Sequence, residues 1–226
     1  MTINKIMNTD ISNLTKIVGV DMSNLSKFMG TGMPTYEDFT TYTEVDEDSD
    51  ITVTQFEIDC VTMRRDAVSY VRKDFGASYF GDFEVEFGVY LGLCNGSGLV
   101  TCFALSNGAN TFQQRLDSND GLDVTYQDVQ FPQNRIIVTE YEAGVNQDYY
   151  NTDFSLWRYI TASRINNQFY VKIYSDSGRN TLLDTLQVTC GTTAYRYCYV
   201  LTSRDSSALG ADTASAKITN LRIVSH

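Results

Sequence analysis

Apolar and polar residues alternate along most of this 226-residue chain, with the period of two that is typical of β-strands. The clearest example is the segment 83–91, whose apolar positions are Phe83, Val85, Phe87, Val89 and Leu91. The positions between them are Glu84, Glu86, Gly88 and Tyr90. This alternation predicts a strand with one face on a hydrophobic core and the other face partly exposed.

Residues 155–202 contain four such stretches in succession, interrupted by residues that favour turns. The interruptions are Asn166-Asn167, Asp176-Ser177-Gly178 and Gly191. Parallel neighbours need long crossover connections, which these interruptions do not supply. The pattern therefore predicts four consecutive strands that pair as an antiparallel meander.

The same period of two predicts strands over most of the remaining chain. Strands are expected at 40–45, 51–63 (with a change of face near Gln55), 68–73, 100–105, 124–129, 135–141 and 218–224, and loops at 149–153 and 204–217. About a dozen short strands, in a chain with two prolines, are typical of a sandwich or jelly roll. We therefore predict an all-β fold, an antiparallel two-sheet sandwich.

The first 33 residues follow a separate pattern, a repeat of eleven residues. Residues 10–20 and 21–31 carry Asp, Ser, Asn, Leu, Lys and Gly at equivalent positions. A period of eleven suits a right-handed helical supercoil. In contrast, Gly19 and Gly30 favour the end of a helix over its interior. The unit is therefore either a broken short helix or a turn-and-strand repeat.

The apolar residues of the repeat form a stripe that is too short to bury itself, so it needs a partner surface. We interpret residues 1–33 as an assembly segment and residues 34–226 as the sandwich. Folding of the segment onto its own sandwich is the alternative. The stripe consists of Ile3, Ile6, Ile11, Leu14, Ile17, Val18, Met22, Leu25, Phe28 and Met29.

Two parts of the chain also resemble a known family. Both are similar to concanavalin A-like lectin/glucanase domains of the laminin-G-like type. The first is segment 169–188 (FYVKIYSDSGRNTLLDTLQV) followed by 195–203 (YRYCYVLTS), and the second is segment 53–87, with AVSYVRKDFG and YFGDFEVEF. Together they span residues 39–224. Similar segments occur in uncharacterised structural proteins of bacteriophages. The resemblance implies a concanavalin A-like jelly roll, a fold that hosts many unrelated functions.

Charge and hydropathy exclude several classes of partner. The formal net charge is −11, and an acidic surface repels phosphate backbones, so no nucleic-acid partner is expected. There is no run of 18 apolar residues, so no membrane span is expected either. The N-terminal residues lack a basic region followed by an apolar one, which predicts no secretory signal peptide.

The five cysteines are Cys60, Cys94, Cys102, Cys190 and Cys198. An odd number without a C-x-x-C pair argues against a disulfide framework and against a zinc site. Each lies in or beside a predicted strand, so we interpret them as reduced structural thiols. Disulfides from Cys94 to Cys102 and from Cys190 to Cys198, across adjacent strands, are the alternative.

The resemblance to glucanases raises the question of catalysis. Laminarinase-type enzymes of this fold carry a Glu-x-Asp-x-x-Glu strand motif, and the nearest match here begins with Glu84 and Glu86 but has Val89 at the third carboxylate position. A retaining glycosidase needs a nucleophile and an acid about 5–5.5 Å apart. The sole histidine is His226, the last residue, which leaves little for Ser-His or Cys-His chemistry. We predict no catalytic residues and no enzyme activity.

Ligand-binding candidates are weaker. Calcium is possible only at acidic turns, which are more often simply solvated: 46–50, or a cluster formed by Asp117, Asn119, Asp120 and Asp123. No other cofactor is expected. Aromatic platforms for sugars could come from Tyr149, Tyr150, Trp157, Tyr170 and Tyr174, although the alternating run that begins at Trp157 favours a core role for that residue.

The repeats and the phage resemblance together lead to a functional hypothesis. The protein is predicted to be a non-enzymatic structural virion protein (a capsid decoration, head-fibre or tail-fibre-like protein) that displays a lectin-like sandwich on the virion surface after cytoplasmic synthesis in the host. Its expected partners are other virion proteins, further copies of itself, with a trimer favoured, and a cell-surface glycan. The alternative is a free carbohydrate-binding module or a glycoside hydrolase-related protein.

Overall fold

A computed structural model describes residues 16–17, 20–21, 35–47, 49–64, 68–95, 99–108, 121–128, 134–141, 146–203 and 213–225. They form sixteen strands and one short 3-10 helix, Phe39–Thr41. The strands are β1 Lys16–Ile17, β2 Val20–Asp21, β3 Thr43–Asp46, β4 Ile51–Val53, β5 Glu57–Arg64, β6 Ser69–Asp74, β7 Phe83–Asn95, β8 Leu99–Ser106, β9 Leu122–Asp128, β10 Asn134–Glu140, β11 Asn146–Thr152, β12 Leu156–Ile165, β13 Gln168–Tyr174, β14 Leu182–Thr189, β15 Tyr197–Ser203 and β16 Thr213–Ser225.

Fourteen of these strands form two seven-stranded antiparallel sheets. One has the order β14-β13-β12-β7-β16-β5-β4 and the other the order β11-β10-β9-β8-β15-β6-β3. We call them the β7 sheet and the β8 sheet after their central strands. The predicted all-β, two-sheet sandwich is confirmed.

The core lies between the two sheets and follows from the alternation in the sequence. Val85, Phe87 and Val89 of β7 are buried in it, as predicted. The ring of Phe103 from β8 meets that of Phe87 with 5.7 Å between centroids. Burial of large apolar side chains of this kind contributes about 1.5–3 kcal/mol each to folding, so the contact between the sheets is the main source of stability.

The predicted four-strand meander is correct for three strands and wrong for the fourth. Strands β12, β13 and β14 are consecutive neighbours, but β15 lies in the β8 sheet between β8 and β6. The chain crosses between the sheets at residues 190–196, where Tyr195 forms an isolated bridge with Phe80. A turn residue such as Gly191 marks the end of a strand, but it does not determine which sheet the chain enters next.

A buried arginine holds this crossing in place. Arg164 of β12 is 1% exposed. Its guanidinium donates to the carbonyl oxygens of Phe80 (3.1 Å), Gly81 (2.9 Å from Nε) and Thr193 (2.6 Å). Buried carbonyl groups and a buried cation each need partners, and these contacts satisfy both. The crossing is therefore fixed by long-range contacts and not by local turn chemistry.

Two predicted loops are strands in the structure. The segment predicted as a loop at 149–153 lies largely in β11, whose Tyr150 pairs with Ile136 of β10. The predicted loop at 204–217 gives way at residue 213 to β16, which pairs with both β5 and β7. Small and polar residues weaken the strand signal in both segments, and pairing with neighbouring strands overrides it. The change of face expected near Gln55 separates β4 from β5, as predicted.

Residues Met1–Thr35 form a compact unit of their own. Within it, Lys16 and Ile17 of β1 pair in antiparallel register with Asp21 and Val20 of β2. These four residues of the repeat are paired as strands. Ile17 is the one residue of the predicted assembly stripe that the structure describes; the other nine lie outside the described residues.

Cys60, Cys102, Cys190 and Cys198 are buried free thiols, which agrees with their interpretation as small apolar core residues. Burial is the main cause that raises the pKa of Cys60 to about 12, so this thiol stays protonated at neutral pH. The side chain of Cys94 lies outside the description.

Over the described part of the chain, no helix has the length and hydropathy needed to cross a membrane.

Candidate functional site

The outer face of the β7 sheet carries rows of side chains across its central strands. Because Phe87 and Val89 point into the core, Glu86, Gly88 and Tyr90 point outward. Directly paired residues of an antiparallel sheet lie on the same side, so the strand register identifies their neighbours. Three adjacent rows, centred on these three β7 residues, make up the candidate site.

Aromatic residues dominate two of these rows. Trp157 pairs with Tyr90, and their ring centroids are 5.6 Å apart. Tyr159, two residues further along β12, is paired with Gly88. Its ring lies 6.3 Å from that of Trp157, and the two planes differ by only 17°. We call Tyr90, Trp157 and Tyr159 the aromatic platform; all three residues are half-buried.

Gly88 provides the room for this arrangement. A Cβ atom at Gly88 would lie 2.8 Å from Thr219 Oγ1 and 3.5 Å from the ring of Tyr159. The absence of a side chain lets the tyrosine ring lie close to the β7 backbone, between β12 and β16. A bulkier residue would have to displace Thr219 or lift Tyr159 away from the sheet.

The third row carries charges. Glu86 Oε2 accepts a hydrogen bond from Arg222 Nε at 2.7 Å and forms an ion pair with Arg222 Nη2 at 2.6 Å. Arg179 Nη1 lies 3.6 Å from the same oxygen. Lys172 belongs to this row as well, because it pairs with Thr161, which in turn pairs with Glu86. We call Lys172, Arg179 and Arg222, with Glu86 among them, the charged row.

Arg179 reaches this row from outside the sheet. It lies in the hairpin of residues 175–181 that joins β13 to β14, with a left-handed backbone (φ 53°). Its Nη2 donates across β12 and β7 to the carbonyl oxygens of Ile160 (3.3 Å) and Phe87 (3.4 Å). The hairpin thereby extends over the outer face and forms one wall of the site.

The carboxylate of Asp176 holds the hairpin in this conformation. It accepts hydrogen bonds from the main-chain N–H groups of Asn180 (3.2 Å) and Thr181 (2.7 Å). These bonds, the one from Thr181 first, hold the pKa of Asp176 below its usual value. The wall is thus organised by its own turn chemistry, independent of the ion pairs on the sheet.

An open depression of about 270 Å³ adjoins the aromatic platform on its other side. Tyr90, Val61, Ser215 and Lys217 are among the residues that line it. Lys217 forms an ion pair with Asp59, which raises the pKa of Lys217. The face therefore offers flat aromatic rings at its centre, charged donors on one side and a mixed polar and apolar hollow on the other.

The two carboxylates of the predicted glucanase-like motif both lie on this face. Glu84 and Glu86 occupy the outward register of β7, as predicted. Val89, at the third carboxylate position, is buried in the core. The structure therefore brings two carboxylates to one face and engages one of them, Glu86, in ion pairs with two arginines.

The predicted core role of Trp157 is wrong. Ile160 and Ala162 of the same strand take the core positions, which places Trp157 in the outward register. Tyr170 and Tyr174 of β13 lie on this outer face too, since Tyr174 pairs with Tyr159 and Tyr170 with Ser163.

The other two candidate aromatic residues are in the β8 sheet. Tyr149 of β11 is 53% exposed, and the guanidinium of Arg135 lies 5.1 Å from its ring centroid. Tyr150 packs against the core. Neither residue belongs to the candidate site.

Of the predicted calcium ligands, Asp117, Asn119 and Asp120 lie outside the described residues. Asp123 is fully buried in β9 and accepts a hydrogen bond from the hydroxyl of Tyr141 at 3.4 Å. In the other acidic turn, Asp46 accepts hydrogen bonds from the main-chain N–H groups of Asp50 and Ile51. Across the described ranges, no group of three or more His, Cys, Asp or Glu side chains is placed to hold a metal ion.

Several residues of the site are not singled out by the sequence pattern. Tyr90 and Tyr159 could have been found from strand alternation, because they share a register with Glu86 and Trp157 respectively. Arg222 requires knowledge that β16 lies beside β7. Arg179 has no sequence signal, because its position depends on how the hairpin folds back over the sheet.

No protein-family model and no curated protein matches this chain. Solved structures resemble it at low identity. An alginate lyase from Pseudomonas aeruginosa is 11% identical with a TM-score of 0.55, and the match covers 80% of this chain and 88% of the lyase. A β-glucanase from Bacillus licheniformis is 14% identical with a TM-score of 0.50, covering 85% and 98%. The exoplasmic/lumenal domain of VIP36, bound to Ca²⁺ and Man3GlcNAc, is 10% identical with a TM-score of 0.50, covering 83% and 86%.

These likenesses concern the fold: the sandwich is a concanavalin A-like jelly roll, as the sequence resemblance implies.

Proposed function

We propose that this protein binds a carbohydrate on the outer face of the β7 sheet and does not cleave it. The observation that carries the proposal is the aromatic platform, in which the rings of Trp157 and Tyr159 are nearly parallel and both residues are half-buried. Trp and Tyr combine a large apolar surface with a polar tip, so three of them side by side on an outer face form a surface that a ligand can cover.

The chemistry of the platform suits a sugar ring. The face of an aromatic ring carries partial negative charge, which attracts the C–H groups of a pyranose. Hydroxyl groups at the ring edge need hydrogen-bond partners, and Thr219, Lys217 and Asp59 surround the platform. An apolar surface with a small number of polar groups around it is typical of small-molecule sites. Structural neighbours named as an alginate lyase, a β-glucanase and a glycan-bound VIP36 domain support this ligand class.

The state of Glu86 argues for binding without catalysis. A glycosidase nucleophile must approach the anomeric carbon, and its partner acid must donate a proton to the leaving oxygen. Glu86 Oε2 instead accepts a hydrogen bond from Arg222 Nε and forms ion pairs with Arg222 and Arg179, and the side chain is only 13% exposed. These contacts favour a structural role for Glu86 over either catalytic role, and Glu84 alone does not make a pair.

The binding proposal can be tested directly because Trp157 is the one tryptophan of the chain. Its fluorescence should change when a ligand covers the platform, so a panel of oligosaccharides can be screened by titration. Tyr159→Ala keeps this reporter and should weaken binding at least about tenfold, as expected for a central aromatic contact. The matched control is Tyr149→Ala, which removes an exposed tyrosine from the other sheet and should leave affinity unchanged.

Two results would contradict the proposal. The first is that no oligosaccharide of the panel changes the fluorescence of Trp157 or gives heat in a calorimetric titration. The second is that the two tyrosine variants lose affinity equally, which would place the ligand elsewhere.

The glycoside hydrolase alternative rests on Glu84 and Glu86 sharing one face. It is tested by incubating the protein with laminarin, agar, carrageenan and bacterial capsular glycans and measuring reducing ends. We expect no turnover. Turnover that disappears in Glu84→Gln or Glu86→Gln would establish the hydrolase and overturn the non-catalytic proposal.

We further propose that the sandwich is displayed on a bacteriophage virion, with residues 1–33 as the segment that attaches it or forms its oligomer. The support is the apolar eleven-residue repeat, which a free sugar-binding module does not need. Changing Leu14 and Leu25 together to Asp should abolish oligomerisation or particle attachment while the melting temperature of the sandwich stays nearly constant. Retained assembly with a much lower melting temperature would instead indicate that the segment packs on its own sandwich.

A further inference from the structure

The charged row lies directly beside the aromatic platform and carries an excess of positive charge. Glu86 and Gly88 are two residues apart on β7, so the rows are about 7 Å apart. Within the row itself, Lys172, Arg179 and Arg222 supply three positive charges and Glu86 one negative charge, a balance of 3 − 1 = +2. The carboxylate of Asp176 in the hairpin is engaged by main-chain N–H groups. This balance contrasts with the net charge of −11 for the whole chain.

The positive charge is concentrated on the side of the platform that Arg179 overhangs. On the opposite side, Lys217 is neutralised by its ion pair with Asp59. Glu84 lies one row beyond Glu86, about 7 Å further from the platform. A negative group on a platform-bound ligand would therefore meet the cations before it meets Glu84.

The hydrogen-bonding groups of Arg179 are incompletely satisfied. Its contacts to the carbonyl oxygens of Ile160 and Phe87 are long, at 3.3 and 3.4 Å, and its distance to Glu86 is 3.6 Å. Its Nε is buried without a hydrogen-bond partner. An unpaired buried donor is costly, so a ligand acceptor that reorients this guanidinium is favoured. The planar fork of arginine matches carboxylate and sulfate oxygens.

We infer that the carbohydrate bound by this face is anionic. One sugar ring lies on Trp157 and Tyr159, and its carboxylate or sulfate group lies between Arg179 and Lys172. This inference rests on the proposed carbohydrate-binding function and adds the charge of the ligand to it. The shared chemistry is a negatively charged oxygen group on a pyranose, as in uronates and sulfated galactans.

The test uses short oligosaccharides, because a long polyanion is repelled by the overall negative charge of the protein. Three probes are titrated against the fluorescence of Trp157: oligouronates from alginate, the same oligomers with their carboxyl groups reduced to alcohols, and sulfated oligosaccharides from carrageenan. We expect at least one anionic probe to bind about tenfold or more tightly than the reduced oligomer, the size expected for one charge-assisted hydrogen bond.

Arg179→Gln should remove most of this preference while affinity for the reduced oligomer stays within about twofold. The matched control is Arg196→Gln, which removes an exposed arginine that pairs with Asp74 on the β8 sheet and should change nothing. If Arg179→Gln disturbs the hairpin, as seen by thermal melting, Lys172→Gln carries the test, because Lys172 is exposed and its loss leaves the hairpin bonds intact.

The outcomes separate the inference from the function on which it rests. Equal affinity for charged and reduced oligomers overturns the anionic ligand and leaves carbohydrate binding standing. No binding of any probe, together with none in the wider oligosaccharide panel, overturns both. A preference that persists in Arg179→Gln and Lys172→Gln overturns the placement of the anion. Preference for the uronate or for the sulfated probe alone identifies which oxygen group the row recognises.

Discussion

On the outer face of the β7 sheet, Trp157 and Tyr159 are half-buried. On the outer face of the β8 sheet the corresponding central residues are buried. Val124 and Tyr126 of β9 point into the core, so Asp123 and Thr125 point outward, yet they are 0% and 4% exposed. Both sheets have seven antiparallel strands, and they differ in what their outward side chains can do.

Polar groups at the centre of the β8 face bond to each other within the protein. The hydroxyl groups of Thr101 and Thr125 are 3.1 Å apart and bond to each other, and the carboxylate of Asp123 accepts a bond from Tyr141. Buried polar groups that already have partners add to stability and offer nothing to a ligand. On the β7 face, Arg179 has long bonds to carbonyl oxygens and a buried Nε without a hydrogen-bond partner. The comparison teaches that the two sheets differ at their centres: the β8 face holds buried polar groups that are already paired, and the β7 face holds half-buried aromatic residues beside a partly satisfied arginine.

The largest effect should come from a charge placed on the buried face. Thr125→Asp puts a second carboxylate near Asp123 in a buried position and replaces the hydroxyl that bonds to Thr101. We expect a loss of about 3 kcal/mol or more in the free energy of unfolding, because burying an unpaired charge is among the costliest substitutions. Urea denaturation measures it.

The matched control on the open face is Thr185→Asp. Thr185 is exposed on β14 and pairs with Lys172, so a carboxylate there stays solvated and should change stability by about 0.5 kcal/mol or less. Similar losses in the free energy of unfolding for Thr125→Asp and Thr185→Asp would show that the two outer faces do not differ in burial.

The β7 face also shows how much of the fold and of the candidate site the sequence predicts. The alternation of Phe83–Tyr90 predicts the core residues and the outward glutamates correctly, because a half-buried strand carries its own pattern. Around Trp157 the alternation also defines two faces. One face carries the large aromatic residues and the other carries Ile160 and Ala162, so the sequence does not show which face points into the core. The site depends on the pairing of Arg222 with β7 and on the folded-back Arg179, which are long-range features without a local signal.

A moderate effect is expected at Gly88, where the open face is tightly packed. Gly88→Ala puts a Cβ 2.8 Å from Thr219 Oγ1, so we expect a loss of about 1–2 kcal/mol in the free energy of unfolding. Oligosaccharide binding should also weaken, because the added Cβ shifts Tyr159. Gly81→Ala is the control, since a Cβ there meets nothing within 4 Å. If calorimetric melting finds the two variants equally stable, the close approach at Gly88 is not a constraint.

The smallest effect concerns two carboxylates, Asp74 of β6 and Asp176 of the hairpin 175–181. Hydrogen bonds from Arg196 lower the pKa of Asp74 to about 2 from its usual 3.8, and main-chain bonds lower the pKa of Asp176. A carboxyl group whose pKa is lower in the folded state stabilises the fold above its unfolded pKa, and this contribution disappears as the pH falls through the folded pKa. Asp74→Asn and Asp176→Asn should therefore lower the melting temperature slightly at pH 7, with the difference from wild type shrinking between about pH 4 and pH 2.

Ligand binding at pH 7 then separates the two variants. Asp176 organises the hairpin that carries Arg179, so Asp176→Asn should weaken the binding of an anionic oligosaccharide more than that of its reduced form. Asp74 belongs to the β8 sheet, and Asp74→Asn should leave both affinities unchanged. Equal effects of the two substitutions on ligand affinity would mean that the hairpin is not part of the site. An Asp74→Asn melting difference that stays constant from pH 7 to pH 2 would show that its ion pair with Arg196 does not stabilise the fold.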